Sequence, residues 1–237
     1  MKKCIPNKEL DELGEGLVLA HLKKMKTARL PKCVDIEGLA NSLGLKVVYE
    51  KFAEDDLDKI GFLADGRTHL KIIRSSKIVS FLFPLGTIVV DVSLRRENES
   101  GKRRFTIAHE VAHYIIDRHN PQPQYQRTFD AERSYSANEL RQQFNLIESQ
   151  ADKLAAALLM PHFIVETALK DFNGGNKVRI YGDNVLDPED RIKINQMAAQ
   201  IGVSYTALLI RLRQFRWLDY HPLSEYIEST LLGEVMM

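Results

Sequence analysis

Arg104-Phe105-Thr106-Ile107-Ala108-His109-Glu110-Val111-Ala112-His113-Tyr114 sets chemistry inside a helix that is otherwise built to be buried. Between Lys102 and Arg118 the apolar residues Phe105, Ile107, Ala108, Val111, Ala112, Ile115 and Ile116 cover most of the helical circumference, which predicts a core helix. His109 and His113 stand four residues apart, so both imidazoles leave the same face and can reach one metal ion. Glu110 lies about 100° further round. It therefore need not ligate and can serve as general base on a water. A His-Glu-x-x-His string arises by chance in roughly one chain in a hundred of this size, so the surrounding sequence has to corroborate it.

Corroboration comes from Glu148-Ser149-Gln150-Ala151-Asp152. A catalytic zinc site takes three protein ligands, and Glu148 is the candidate third. Asp152, one turn on and on the same face, can accept a hydrogen bond from the outer nitrogen of a ligating histidine and fix its tautomer. A Glu and an Asp four apart are more often a solvated helix edge. Here the apolar run Leu154-Ala155-Ala156-Ala157-Leu158-Leu159-Met160 follows, which should pack on the first helix and carry Glu148 to the histidines.

The two blocks, with Leu158-Leu159-Met160-Pro161, resemble the ImmA/IrrE family of metallopeptidases over about residues 30 to 215. The resemblance implies a gluzincin-like site in which His109, His113 and Glu148 bind Zn2+, with Mn2+ as an alternative ion, and Glu110 is catalytic. It also implies a protein substrate, a helix-turn-helix transcriptional repressor cleaved in mobile-element or stress regulation. The connector between the blocks, residues 114 to 147, departs from the family pattern by its length.

The implied architecture is α+β and zincin-like: a small, mostly antiparallel sheet on the active-site helix and a second ligand-bearing helix, then a C-terminal helical segment. Asn7 to about Met25 reads as an amphipathic helix despite Gly14 and Gly16, and Asp35 to Ser42 as a short helix ended by Gly44. Leu45 to Tyr49, Gly61-Phe62-Leu63, Leu70 to Ile73 and Thr87 to Val90 read as strands, punctuated by Asp65-Gly66 and Pro84-Leu85-Gly86. Thr87 to Val92 is the candidate edge for pairing with an extended substrate, with a buried central strand as the alternative. Residues 119 to 143 read as a polar surface loop, and Phe144 to Met160 as helix.

Residues 1-186 are expected to form the peptidase domain and 187-237 a helix-turn-helix-like extension packed on it. Asp187-Pro188 opens a helix, Gly202 ends it and Ser204 caps the next. Five basic residues and no acids lie between 191 and 216, so Arg211, Arg213 and Arg216 are the residues through which a nucleic acid or partner would be met. Seven acids across 187 to 237 make DNA contact the lesser expectation. The competing class is a DNA-binding regulator, or a toxin–antitoxin component, on a non-catalytic metal-stabilised peptidase scaffold.

Composition adds exclusions. Thirty-three Lys plus Arg against thirty-two Asp plus Glu give +1, too little to draw the whole chain to nucleic acid or membrane. Cys4 and Cys33 are too few and too far apart for a disulfide scaffold or a zinc knuckle. No stretch has the apolar length of a membrane span and no signal peptide is evident, so the expectation is a cytoplasmic protein. His119, His162, Tyr114 and Tyr181 can be imagined near the cleft, but none carries a partner in sequence.

Overall fold

A computed structural model describes residues 5–26, 29–53, 59–119, 137–182 and 185–231. These fall into two compact units, one of residues up to Arg29 with Val34–Pro161 and the other of Leu30–Cys33 with His162 onward. The division falls after Pro161, whereas the sequence places it at 186.

The first unit opens with α1 (Asn7–Lys24) and α2 (Ile36–Ser42). Pro6 occupies the position before α1, and no side chain caps it. Asp35 caps α2 by accepting a hydrogen bond from the Gly38 N–H. Five strands follow: β1 (Lys46–Phe52), β2 (Gly61–Leu63), β3 (His69–Arg74), β4 (Lys77–Leu82) and β5 (Thr87–Asp91). They form one sheet in the order β2-β5-β1-β3-β4. β1 and β5 run parallel, and the other pairs are antiparallel.

Thr87 to Val92 is therefore not an edge. The run Ile88-Val89-Val90 is apolar without alternation, as suits a strand buried on both faces, and all three side chains are inaccessible. β2 covers the side of β5 away from β1 and is itself the edge. The β3–β4 hairpin turns through Ser75 and Ser76, both at positive φ (49° and 61°). That is the geometry of a two-residue hairpin loop whose usual signal is Asn-Gly, and so β4 has no turn signature in the sequence. One face of the sheet gathers Ala64, Leu70, Ile72, Phe83 and Val89, with Val48, Phe52, Phe62, Val79 and Phe81 around them.

Two long helices complete the unit, α3 (Ser100–His119) and α4 (Ala137–Leu159). α3 packs on α4 and on β2 and β5, while α1 packs on α4. Ile107, Ala108, Val111 and Ala112 of α3 are buried, as are Leu154, Ala155 and Leu158 of α4. α1 approaches α4 closely because Gly14 lies against Ala157. α4 begins at Ala137, so residues 137 to 143 are helix and not loop; residues 120–136 of the expected loop lie outside the described residues.

The second unit holds α5 (His162–Asn173), β6 (Val178–Tyr181), α6 (Pro188–Ile201), α7 (Tyr205–Gln214), β7 (Leu218–His221) and α8 (Leu223–Leu231). β6 and β7 pair in parallel, a match the sequence did not signal. α6 starts with Asp187 accepting from the Glu189 N–H and Pro188 in its first turn, and ends at left-handed Gly202. Ser204 caps α7 by accepting from the Ala207 N–H. Lys32 joins this unit through an ion pair to Asp171 (3.1 Å).

Candidate metal centre

Two helices of the first unit build the centre, and each does so by ordinary i, i+4 geometry. α3 projects His109 and His113 from one face, with ring centroids 4.6 Å apart. α4 brings Glu148 opposite them and Asp152 one turn along. The His109 Nε2 lies 3.2 Å from a Glu148 oxygen, the His113 Nε2 3.5 Å from the other, and the two Nε2 atoms 2.9 Å from each other. Among the described residues, these three form the one cluster of metal-ligating side chains.

The spacing fits a small cation. Donors at 2.0–2.1 Å from one tetrahedral ion stand about 3.3 Å apart, close to the separations seen. Two imidazole nitrogens and a carboxylate oxygen are a zinc-type donor set with room for a further ligand. Asp152 accepts from the His109 Nδ1–H at 2.9 Å, so that the Nε2 lone pair faces inward. Glu148 thus joins the two histidines in a group that could hold a metal ion, with Asp152 on the outer side of His109.

Electrostatics couple these groups to one another. Burial disfavours a charged His109, but hydrogen bonds to Asp152 and Glu148 outweigh it and push the imidazole up to about 10. The same bonds to His109 and His113 pull Glu148 down to about 2. A metal ion binding these nitrogens and this carboxylate competes with protons for the same atoms.

Glu110 is set apart from the ligands. Desolvation by burial raises its pKa, against the lowering pull of His113 and His109. Its carboxylate accepts a hydrogen bond from the backbone N–H of Leu63 on β2. The neighbouring Gly61 matters here, since a Cβ at that position would lie 2.6 Å from the Thr106 Cγ2 and 2.7 Å from the Glu110 Oε1. Sequence reading did not single out Gly61 or Leu63 for the site. The signal was a glycine opening a strand, which often marks close approach of another chain element.

The edge of β2 has a defined polarity. Ala64 donates to the Thr87 carbonyl and Asp91 to the Ile60 carbonyl, so residues 60, 62 and 64 bond towards β5. By alternation Gly61 and Leu63 direct their backbone groups outward, on the side where Glu110 sits.

Other candidates from the sequence make contacts of their own. The Tyr114 hydroxyl points to the Leu43 carbonyl (3.5 Å). His162 packs against Phe215 and Trp217, and Tyr181 against His221 and Tyr226. Arg213 and Arg216 are exposed, but Arg211 is buried at 3% exposure, bonded to Gln214 and stacked on Phe215. As a nucleic-acid or partner contact, Arg211 is thus corrected to a core residue of α7.

An α+β fold whose adjacent helices converge two histidines and a glutamate defines a metallopeptidase-like scaffold. Residues 40–213 match the Peptidase_M78 family, described as the IrrE N-terminal-like domain, and the chain belongs to that family. No curated protein matches it. Among solved structures, a Mycobacterium tuberculosis transcriptional regulator is similar at 16% identity and a TM-score of 0.43, over 86% of this chain and 55% of that one. The chain thus spans about half the length of that relative. No helix among the described residues is long and apolar enough to cross a membrane.

Proposed function

We propose that this chain is a zinc-dependent endopeptidase that cleaves a helix-turn-helix transcriptional repressor. The observation that carries the peptidase reading is the placement of Glu110 beside, but outside, the His109–His113–Glu148 cluster, against the outward edge of β2. A zinc ion held by His109, His113 and Glu148 would supply a Lewis acid for a peptide carbonyl and lower the pKa of water. The chain's own groups do the rest. Gly61 offers outward backbone groups with which an extended substrate can pair, aligning its peptide bond along the α3 face. Glu110, its pKa raised by burial, accepts a proton from the attacking water and delivers it to the leaving nitrogen. Asp152 holds the His109 ring.

The repressor as substrate rests on the family resemblance, and a cytoplasmic setting goes with it. The DNA-binding alternative draws its support from the basic residues of α6 and α7. The burial of Arg211 weakens that alternative, because it leaves Arg213 as the one cation among the exposed residues of α7 (Thr206, Ile210, Arg213 and Gln214), with Arg216 just beyond the helix.

The test is incubation with a purified helix-turn-helix repressor encoded in the adjoining reading frame, with zinc and with chelator. One discrete zinc-dependent cut is expected, absent for Glu110→Gln, which should still bind zinc. An intact repressor together with general digestion of casein would reject the repressor. Undiminished turnover by Glu110→Gln would remove Glu110 from the mechanism.

A further inference from the structure

The far edge of the five-stranded sheet is unlike the edge beside the metal centre. β4 runs six residues in unbroken register with β3, from Arg74↔Lys77 at the turn to His69↔Leu82. Arg74 and Lys77 close a two-residue loop and so form a hydrogen-bonded pair. By alternation Val79 and Phe81 also bond towards β3, while Ile78, Ser80 and Leu82 direct N–H and C=O away from it. The side chains of those three residues lie on one face and are exposed, Ile78 at 68% and Leu82 at 43%. Edge strands are ordinarily blunted by proline, a bulge, an inward charge or brevity. β4 has none of these, and its one charge, Lys77, sits at its end.

The pattern is self-complementary. An antiparallel copy related by a two-fold axis through Ser80 sets Ile78 against Leu82 of the second copy and Ser80 against its own counterpart. All three pairs are then hydrogen-bonded pairs, about six bonds in total, and the two exposed apolar side chains cover each other. No like charges meet. Lys77 faces Phe83 of the second copy. Lys71, in register with Ser80, stands three strand spacings from its counterpart, about 14 Å, beyond the Debye length of about 8 Å.

We infer that β4 is a self-association edge through which two copies of this chain join their sheets into one. A seam of one strand pair buries less than the roughly 1,200 Å² of a stable interface. Association is accordingly weak and reversible.

Sedimentation of the full chain from about 1 to about 300 µM tests this. A monomer–dimer equilibrium is expected, weakened at least about tenfold by Ser80→Pro and by Ile78→Lys. Ser80→Pro removes an outward N–H that pairs with no other strand among the described residues. In a Cys4→Ser, Cys33→Ser background, Ser80→Cys should be joined to its counterpart by a short bis-maleimide, whereas Ser93→Cys should not. A wild-type monomer throughout the range would overturn the proposal. So would a dimer that survives both substitutions with unchanged Kd, or equal cross-linking at positions 80 and 93.

Discussion

Gly14 and Gly16 sit two residues apart on α1, yet alanine should move stability in opposite directions at the two positions. In an unhindered helix the substitution gains up to about 1 kcal/mol, because glycine loses more backbone entropy on folding. Gly16 is exposed and a Cβ there meets nothing within 4 Å, so that gain should appear almost whole. At Gly14 the added Cβ would lie 2.6 Å from the Ala157 Cβ, 3.0 Å from its carbonyl carbon and 3.2 Å from the Leu158 nitrogen. Carbon atoms rest about 3.5–4.0 Å apart, so α1 must retreat by nearly an ångström from a neighbour that is largely backbone. Overpacking costs about 1–3 kcal/mol, and backbone that cannot rotate away places this case at the upper end. The net expectation is a loss of about 2 kcal/mol for Gly14→Ala and a gain of 0.5–1 for Gly16→Ala. Urea unfolding followed by helical circular dichroism measures both. Because α4 also carries Glu148 and Asp152, Gly14→Ala should weaken zinc binding even below its unfolding transition, and Gly16→Ala should not. Equal stability of the two variants would refute the close packing of α1 on α4.

Further expectations follow from other contacts. Asp152→Ala removes the acceptor that orients His109 and should lower zinc affinity by about 10–100-fold, measured by competition with a chromophoric chelator, with helical content unchanged. Tyr49 donates to Glu37 (2.5 Å), and burial, with that bond, pushes its pKa up from 10.0 to about 12. A raised folded-state pKa stabilises fully below the unfolded value and is lost as pH climbs through the folded one. The wild type should therefore lose stability relative to Tyr49→Phe between pH 10 and about 12, and parallel pH profiles would contradict that bond. Ser76→Gly relieves a left-handed residue at φ 61° and should add about 1 kcal/mol to unfolding stability, unless the hairpin turn is built otherwise.

The metal cluster was legible because its logic is local. His109 with His113, and Glu148 with Asp152, are each one helical turn apart, so sequence spacing already fixes which face they share. The helix boundaries at Gly44, Asp187, Gly202 and Ser204 were legible for the same reason, since capping is short-range chemistry. What sequence withheld depends on partners distant along the chain. The unbroken apolar run of Thr87 to Asp91 is compatible with either place in a sheet, and the pairing with β1 on one side and β2 on the other makes it internal. β4 escaped notice because Ser75-Ser76 adopts a turn those residues seldom signal. β6 and β7 are four residues each and acquire meaning only from each other. Gly61 reads in sequence as the start of a strand, and its closeness to Glu110 depends on how α3 packs on β2.

The packing of α1 on α4 also shapes how the chain is made. Leu10 and Val18 of α1 are fully covered in the finished fold, and α4, on which α1 packs, ends at Leu159. At about 5–20 residues per second of synthesis, the first helix waits on the order of ten seconds on the ribosome for its neighbour. Through that interval its apolar stripe is open to whatever else is in reach. A nascent chain of this design is consequently a natural client for holding factors near the exit tunnel, and slowing translation upstream of residue 137 should lengthen its exposure.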